Sequence, residues 1–460
     1  MIKKCALWLR DSFIRSRSLN ATRIVAGSFA AIILIGALLL TLPIASRDGQ
    51  SAGFFTGLFT ATSSTCVTGL ILVDTWTQWT LFGQAVILTM IQLGGLGFMT
   101  VITLVSFALH RRIGLSERLI MVSTLNLNDM DGVVRVVRHA LIGTFAMETA
   151  GAVLMSVCLI PEFGFLKGTW HAVFHAVSSF CNAGFDLLGG RFGAFSSLAG
   201  YNDNPLMLGT TAALIVVGGL GFFVWEDIVD KRCWSRLSVY SKMVLLITAV
   251  LIVGGALFFL MEEFDNPATL GTCPSGQRDS TPCSSPSPCA PPASTPSARA
   301  ASATPARPCP ACSMLIGGSS GSTAGGIKTA TVGVLLLALR SGLMGREQVT
   351  FRGRAIHYRR VLNAMTLALV VLGVFVFSSM VVSTVEDLPY LDSAFEVASA
   401  MGTVGLTTGT TPTLTPFSQG LLILLMYMGR VGILSFSIAF ITGNRHPAKI
   451  KYPEMNVMIG

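Results

Sequence analysis

Charge is scarce in this chain. Asp, Glu, Lys and Arg make up 12% of its 460 residues, against 52% hydrophobic residues. Soluble domains carry about 25% charged residues, so an ordinary water-soluble fold is excluded. A mean hydropathy of +0.66 points the same way. Signatures of catalysis are lacking too. No Walker motif, catalytic triad or dinucleotide fingerprint occurs, so neither nucleotide hydrolysis nor nicotinamide chemistry is expected. Cys66 and Cys181 have no disulfide partner at a recognisable spacing. His171 and His175 have the i, i+4 spacing of metal ligands but lack the glutamate of HExxH, so packing and hydrogen bonding are their expected roles. The expectation is a chain that is not an enzyme and holds no resident cofactor or metal.

Long apolar runs are what the chain has instead. They cover about 24–45, 80–109, 133–160, 206–229, 239–261, 313–339, 361–385 and 419–442, each long enough to cross about 30 Å of hydrocarbon. Eight spans place both termini on one side. Lys3, Lys4, Arg10, Arg15, Arg17 and Arg23 precede the first span, and Arg111, Arg112, Arg118, Arg135 and Arg138 follow the second. Lys231, Arg232, Arg236 and Lys242, then Arg340 to Arg360, then Arg445, Lys449 and Lys451 fall on the same side, which is therefore cytoplasmic. The opposite loops lean acidic, with Glu162, Asp186, Asp265, Glu386 and Asp392. The net charge of +9 is thus a topology signal, and no nucleic-acid partner is expected. The first run is too long, and lacks the small-residue cleavage site, for a removable signal peptide. The expected setting is the bilayer of the cytoplasmic membrane, crossed many times, with both termini cytoplasmic. Glu148 and the pair Glu226-Asp227, at membrane depth or edge, are expected to have structural partners rather than to relay protons.

Three short stretches repeat one theme: Thr65-Cys66-Val67-Thr68-Gly69-Leu70, Cys181-Asn182-Ala183-Gly184-Phe185 and Gly402-Thr403-Val404-Gly405-Leu406. Each follows a short amphipathic segment and precedes a long apolar run. Glycine can turn successive carbonyls toward a pore axis, so such loops suit a cation site built of backbone oxygen. A second motif recurs with them: Gly94-Gly95-Leu96-Gly97, Gly218-Gly219-Leu220-Gly221, Gly317-Gly318-Ser319-Ser320-Gly321 and Gly429-Arg430-Val431-Gly432. Small residues alone allow close helix packing. Their return beside a loop at each turn points to an all-α integral membrane protein of four pseudo-repeats, each a helix, a re-entrant pore helix, a filter loop and a second helix, with eight transmembrane helices in all.

These motifs, with the run from Gly317 to Thr329, resemble the membrane subunit of Ktr-type potassium uptake systems, within the Trk/Ktr/HKT superfamily. The resemblance covers nearly the whole chain. The Trk branch adds two N-terminal spans, and about 23 residues precede the first span here, so Ktr is the closer match. It implies a tail at 1–23, pore repeats at 24–110, 133–230, 237–342 and 358–443 around one pore, and a C-terminal tail at 444–460. It further implies a potassium filter with selectivity glycines Gly69, Gly184 and Gly405, flanked by carbonyls of Val67, Thr68, Asn182, Ala183, Thr403 and Val404. Potassium would be the transported ion, and sodium a coupling or activating one. The resemblance also implies a homodimer and a separate cytoplasmic regulatory ring of the RCK type that binds nucleotide, because the chain carries no nucleotide-binding domain of its own.

The third repeat departs from the pattern. Between Leu270 and Met314, where its loop belongs, lie ten of the nineteen prolines and five of the ten cysteines. No re-entrant helix can form from such a segment. Its lone Cys309-x-x-Cys312 is a weak zinc signal without a second pair. Codons offer another account. Residues 284–296 can be encoded by bases that, read one position earlier, spell F-Q-S-V-T-M-R-T-A-G-F-N-T, which resembles the family's missing third filter loop. The expectation is that about 272–313 are translated out of frame between compensating indels, with the lost glycine straddling Pro292 and Ala293. The alternative left open is a non-conducting scaffold or inactive paralogue.

Gating has its own signal. Gly317, Gly318, Ser319, Ser320, Gly321, Ser322, Thr323, Ala324, Gly325 and Gly326 have poor helix propensity and many backbone groups to satisfy away from lipid. Such a stretch belongs beside a water-filled cavity. By resemblance it is the intramembrane gating loop beneath the filter, with Lys328 at its cytoplasmic end. Arg430, costly within a span, is expected to face the pore or this loop; pairing with helix carbonyls is the alternative.

Overall fold

The computed structural model describes residues 21–97, 133–263, 313–346 and 348–432. The expected terminal tails (1–20 and 444–460), the basic connection at 111–118 and the aberrant segment up to 312 lie outside these residues.

Twelve longer helices make up the described fold. They are α1 (Ala21–Thr41), α2 (Phe54–Cys66), α3 (Leu81–Leu96), α4 (Val133–Phe163), α5 (Phe165–Cys181) and α6 (Pro205–Leu220). After these come α7 (Phe222–Lys231), α8 (Val239–Glu263), α9 (Thr329–Leu343), α10 (Tyr358–Glu386), α11 (Tyr390–Gly402) and α12 (Pro416–Val431). Local chemistry sets several starts. Thr80 and Asn204 accept hydrogen bonds from the N–H groups of Gly83 and Met207, and proline stands at the first helical position of α6 and α12.

Burial runs opposite to that of a soluble protein. Val157, Val250 and Leu369 on α4, α8 and α10 are 63%, 62% and 69% exposed, an apolar exterior suited to lipid. The short helices α2, α5 and α11 lie inside, and their Ser, Thr and His residues are among the most buried polar groups. Val136–Phe163, Val239–Leu257 and Tyr358–Glu386 are long and apolar enough to cross a membrane, and the pair α6–α7, bent by 94°, makes a fourth candidate. Val25–Thr41, Leu81–Leu96 and Thr329–Leu343 are shorter apolar helices.

Four expected runs are not single straight helices, and the one at 419–442 stops as helix at Val431, with its remainder from 433 outside the described residues. The run at 80–109 stops as helix at Leu96, and its remainder from 98 lies outside the described residues. The run at 206–229 breaks at Gly221 (φ +84). In the run at 313–339 the regular helix begins only at Thr329, after a loop closed by a parallel bridge between Ile316 and Ile327. Among the described residues, the expected all-α class has one exception, a hairpin pairing Thr350–Phe351 with Arg354–Ala355. Its turn residues Arg352 and Gly353 both have positive φ (46° and 77°), the geometry that matches strand twist in a two-residue turn.

Candidate ion filter and gate

The three buried helices end alike. Val67 after α2, Asn182 after α5 and Thr403 after α11 are left-handed, with φ of 59°, 62° and 52°. The next N–H turns back in each: Thr68 donates to the Ser63 carbonyl at 2.8 Å, Ala183 to Ser178 at 2.8 Å and Val404 to Ser399 at 2.9 Å. This is the six-to-one closure that ends a helix by reversing the chain. Glycine follows two residues after each reversal, at φ +89° (Gly69), +72° (Gly184) and +83° (Gly405). Valine and threonine are β-branched, and holding either left-handed costs on the order of 1–2 kcal/mol.

These loops converge. A Cβ on Gly69 would lie 2.6 Å from the Ala183 carbonyl oxygen, one on Gly184 would lie 3.5 Å from Cα of Gly69, and one on Gly405 would collide with the Thr68 carbonyl oxygen. Gly69 therefore stands between Gly184 and Gly405. The recurrent glycines of α3, α6 and α12 bring the scaffold up behind. A Cβ on Gly94, Gly218 or Gly429 would strike the carbonyl oxygen of Thr65, Phe180 or Met401, in each case the residue two before the left-handed one. Close packing and loop placement thus share the same glycines. The C-terminal ends of α2, α5 and α11 point their partial negative charge at the loops.

A second strand of backbone is bonded directly to two of these units, the second and the third, and through Arg430 to the first. Ser319 N–H donates to the Gly219 carbonyl at 3.0 Å, and Thr323 N–H to that of Gly218 at 3.3 Å. The Thr323 hydroxyl donates to the Phe180 carbonyl at 3.2 Å and accepts from Asn182 Nδ2 at 2.9 Å. Gly325 N–H donates to Thr403 Oγ1 at 3.1 Å. Arg430 reaches across from α12, donating through Nη1 to the Thr323 carbonyl and through Nη2 to the carbonyls of Gly94 and of Gly95, the latter at 3.0 Å. Arg430 thus contacts the loop and helix carbonyls together. Lys328 Nζ donates to the Ala324 carbonyl at 2.7 Å.

Beyond the second loop, in the connection after Gly184, Asp186 is 6% exposed and accepts from Leu188 N–H at 3.0 Å and Ser197 Oγ at 3.4 Å. Burial pushes its carboxyl up to about 6, with Asp74 adding repulsion. A raised acid binds its proton more tightly when folded, so stability is gained as pH falls through about 6. Asp186→Asn keeps an acceptor for Leu188 and removes the buried charge. It is expected to stabilise the solubilised protein by on the order of 1–2 kcal/mol at pH 8 and by much less at pH 5, read as thermal unfolding midpoints. An equal gain at both pH values would contradict the assignment.

The remaining candidates have structural partners. His171 packs on Trp76 and Phe163, and His175 Nε2 accepts from Leu187 N–H at 3.3 Å. Among the described residues no cluster of His, Cys, Asp and Glu could hold a metal. Glu148 accepts from Gln92 Nε2 at 3.0 Å, and Asp227 pairs with Lys231 at 2.5 Å. Sequence reasoning missed Ser63, Ser178 and Ser399, whose carbonyls close the three reversals, and Glu396 on α11. The serines had a readable signal, since each lies six residues before its loop glycine.

A family profile described as TrkH, cation transport protein, matches residues 1–264 and 311–448. The chain belongs to this cation transport family. Among its relatives, the transporter is 41% identical over 455 residues to the potassium/sodium uptake protein NtpJ of Enterococcus hirae, covering 97% of this chain and 98% of the relative. It is 33% identical over 476 residues to the Ktr system potassium uptake protein B of Bacillus subtilis, covering 98% and 99%. The crystal structure of the potassium transporter TrkH from Vibrio parahaemolyticus shares the transporter's fold with a TM-score of 0.70 at 16% identity, covering 92% of this chain and 86% of that one.

Proposed function

We propose that the protein is the pore-forming subunit of a Ktr-like system that takes up potassium across the cytoplasmic membrane. The observation that carries this reading is the convergence of three loops with one backbone geometry, Gly69 meeting the Ala183 carbonyl and Gly405 that of Thr68; it supports a filter of the carbonyls of Val67, Thr68, Asn182, Ala183, Thr403 and Val404 with the selectivity glycines Gly69, Gly184 and Gly405. Carbonyl dipoles replace the hydration shell of potassium without a fixed carboxylate. Residues 317–326 act as the gate beneath the filter, with Arg430 pinning the loop at Thr323 and Lys328 holding its end at Ala324. Four pseudo-repeats and eight spans, with both termini cytoplasmic, complete the architecture, and the recurring contacts of Gly94, Gly218 and Gly429 support it. The relatives' printed names, one for potassium and sodium uptake and one for potassium uptake, support potassium as cargo, and we take sodium to be a coupling or activating ion. A Ktr system implies a separate regulatory subunit, which we take to be a nucleotide-binding ring acting on a homodimer. The gap in the family match at 265–310 supports the reading of the third loop as out of frame.

Gly69→Ser tests the filter. Its φ of +89° and the Ala183 carbonyl beside it leave no room for a side chain. In a chain with its third loop restored, the preference for potassium over sodium in cellular uptake is expected to fall about tenfold or more. Unchanged preference would remove this loop from the filter.

A further inference from the structure

We propose that Glu396 is a positioning residue for ion selection: its carboxylate clamps the outer half of the fourth loop and so keeps the Val404 and Gly405 carbonyls in place. The proposal rests on the filter reading above and goes beyond it by naming what holds one quarter of the ring.

Glu396 is fully buried on α11, at 0% exposure. Its Oε1 accepts from Thr407 Oγ1 at 2.6 Å, Thr408 N–H at 2.8 Å, Thr408 Oγ1 at 3.1 Å and Thr410 Oγ1 at 3.0 Å, and its Oε2 from Thr411 Oγ1 at 2.6 Å. Every one of these donors is neutral and lies in the loop that follows Gly405. Burying a carboxylate costs several kcal/mol unless hydrogen bonds replace its water. Here the replacement comes entirely from the loop, so the helix and the loop hold each other.

The register of the bond to Thr408 identifies what it does. Thr408 is three residues after Gly405, and Glu396 is three residues before Ser399, whose carbonyl accepts from Val404 N–H. Both ends of the stretch from Val404 to Thr408 are therefore tied to one turn of α11. The second loop repeats this tie with different chemistry. His175, three before Ser178, accepts from the N–H of Leu187, three after Gly184, at 3.3 Å. In the first loop the same register carries Thr60, whose hydroxyl has no partner among the described residues. One backbone amide is thus caught by an imidazole in one loop and by a carboxylate in another, a correspondence that packing alone does not require.

The test compares Glu396→Ala with Glu396→Gln in the full chain in lipid nanodiscs, reading amide hydrogen exchange over residues 403–411. A second reading is the potassium-to-sodium uptake ratio in cells, with the third loop restored and Gly405→Ser run alongside. Glutamine keeps an oxygen for the Thr408 amide and loses the charge. Alanine is expected to speed exchange in 403–411 and to lower the uptake ratio, each by about tenfold, while glutamine stays within about twofold of the parent. Thr410→Val removes one donor at constant volume and should shift both readings the same way by about two- to threefold, which carries the test if the alanine protein does not fold. If Gly405→Ser lowers the ratio and Glu396→Ala does not, the filter stands and the proposal falls. If neither moves it, the filter reading fails and takes the proposal with it. Equal damage by alanine and glutamine would assign the effect to charge and overturn the positioning role.

Discussion

Growth of a potassium-uptake-deficient host on low potassium is expected to return when residues 284–296 are replaced by F-Q-S-V-T-M-R-T-A-G-F-N-T with flanks in the same frame. The chain as it stands is expected to support little or none. A dehydrated ion needs oxygen from all sides, and the described loops supply it from Gly184, Gly69 and Gly405 only, with Gly69 between the other two. On the proposed reading the third repeat furnishes the rest, and the ten prolines between Leu270 and Met314 are the sequence feature that sets this repeat apart. The expected difference in initial potassium uptake is about a hundredfold or more, in keeping with the several kcal/mol that an unsatisfied coordination site costs an ion. Equal growth of both chains, at equal membrane abundance, would make the fourth quarter of the filter dispensable. Failure of both to grow would favour the scaffold reading.

Deleting residues 319–322 in the restored chain should have the opposite sign, raising potassium flux several-fold and weakening any dependence on the proposed regulatory ring. The loop is held in place by Ser319 and Thr323 on the Gly218–Gly219 carbonyls, by Gly325 on Thr403 and by Arg430 on Thr323. Shortening it breaks the first of these ties and leaves the filter loops, which have their own closures, intact. A barrier pinned by a few hydrogen bonds, each worth about 1 kcal/mol net, can be shifted by a ligand-driven partner. Loss of flux with normal membrane insertion would show that the loop supports the pore instead of closing it.

Much of this site was legible in the sequence because it is made of backbone. A pore that binds with carbonyls requires glycine at fixed offsets, and Gly69, Gly184 and Gly405 declare themselves against apolar surroundings. The irregular stretch before Thr329 was legible for a related reason, since Gly317 to Gly326 can neither form a good helix nor face lipid. What escaped notice depends on side chains meeting across distance in the chain. In sequence Glu396 is eleven or more residues from its donors at 407–411, and only folding joins them. The bend of 94° at Gly221 escaped because hydropathy is blind to direction, and the run at 206–229 is equally apolar straight or broken. The hairpin at Thr350–Ala355 escaped because two-residue strands carry no period.

Val67, Asn182 and Thr403 occupy one backbone position with three unrelated side chains, whereas the interval from serine to glycine is six residues in all three loops. Within this chain the reversal therefore accepts different residue types but keeps one length. Exchanging one reversal residue for another leaves each carbonyl where it was, but gaining or losing a single residue between serine and glycine rotates the carbonyls that follow away from the axis. A slip of reading frame is then more damaging to the proposed pore than a substitution at a reversal residue, and repeated loops can differ in letters for as long as their spacing is inherited unchanged.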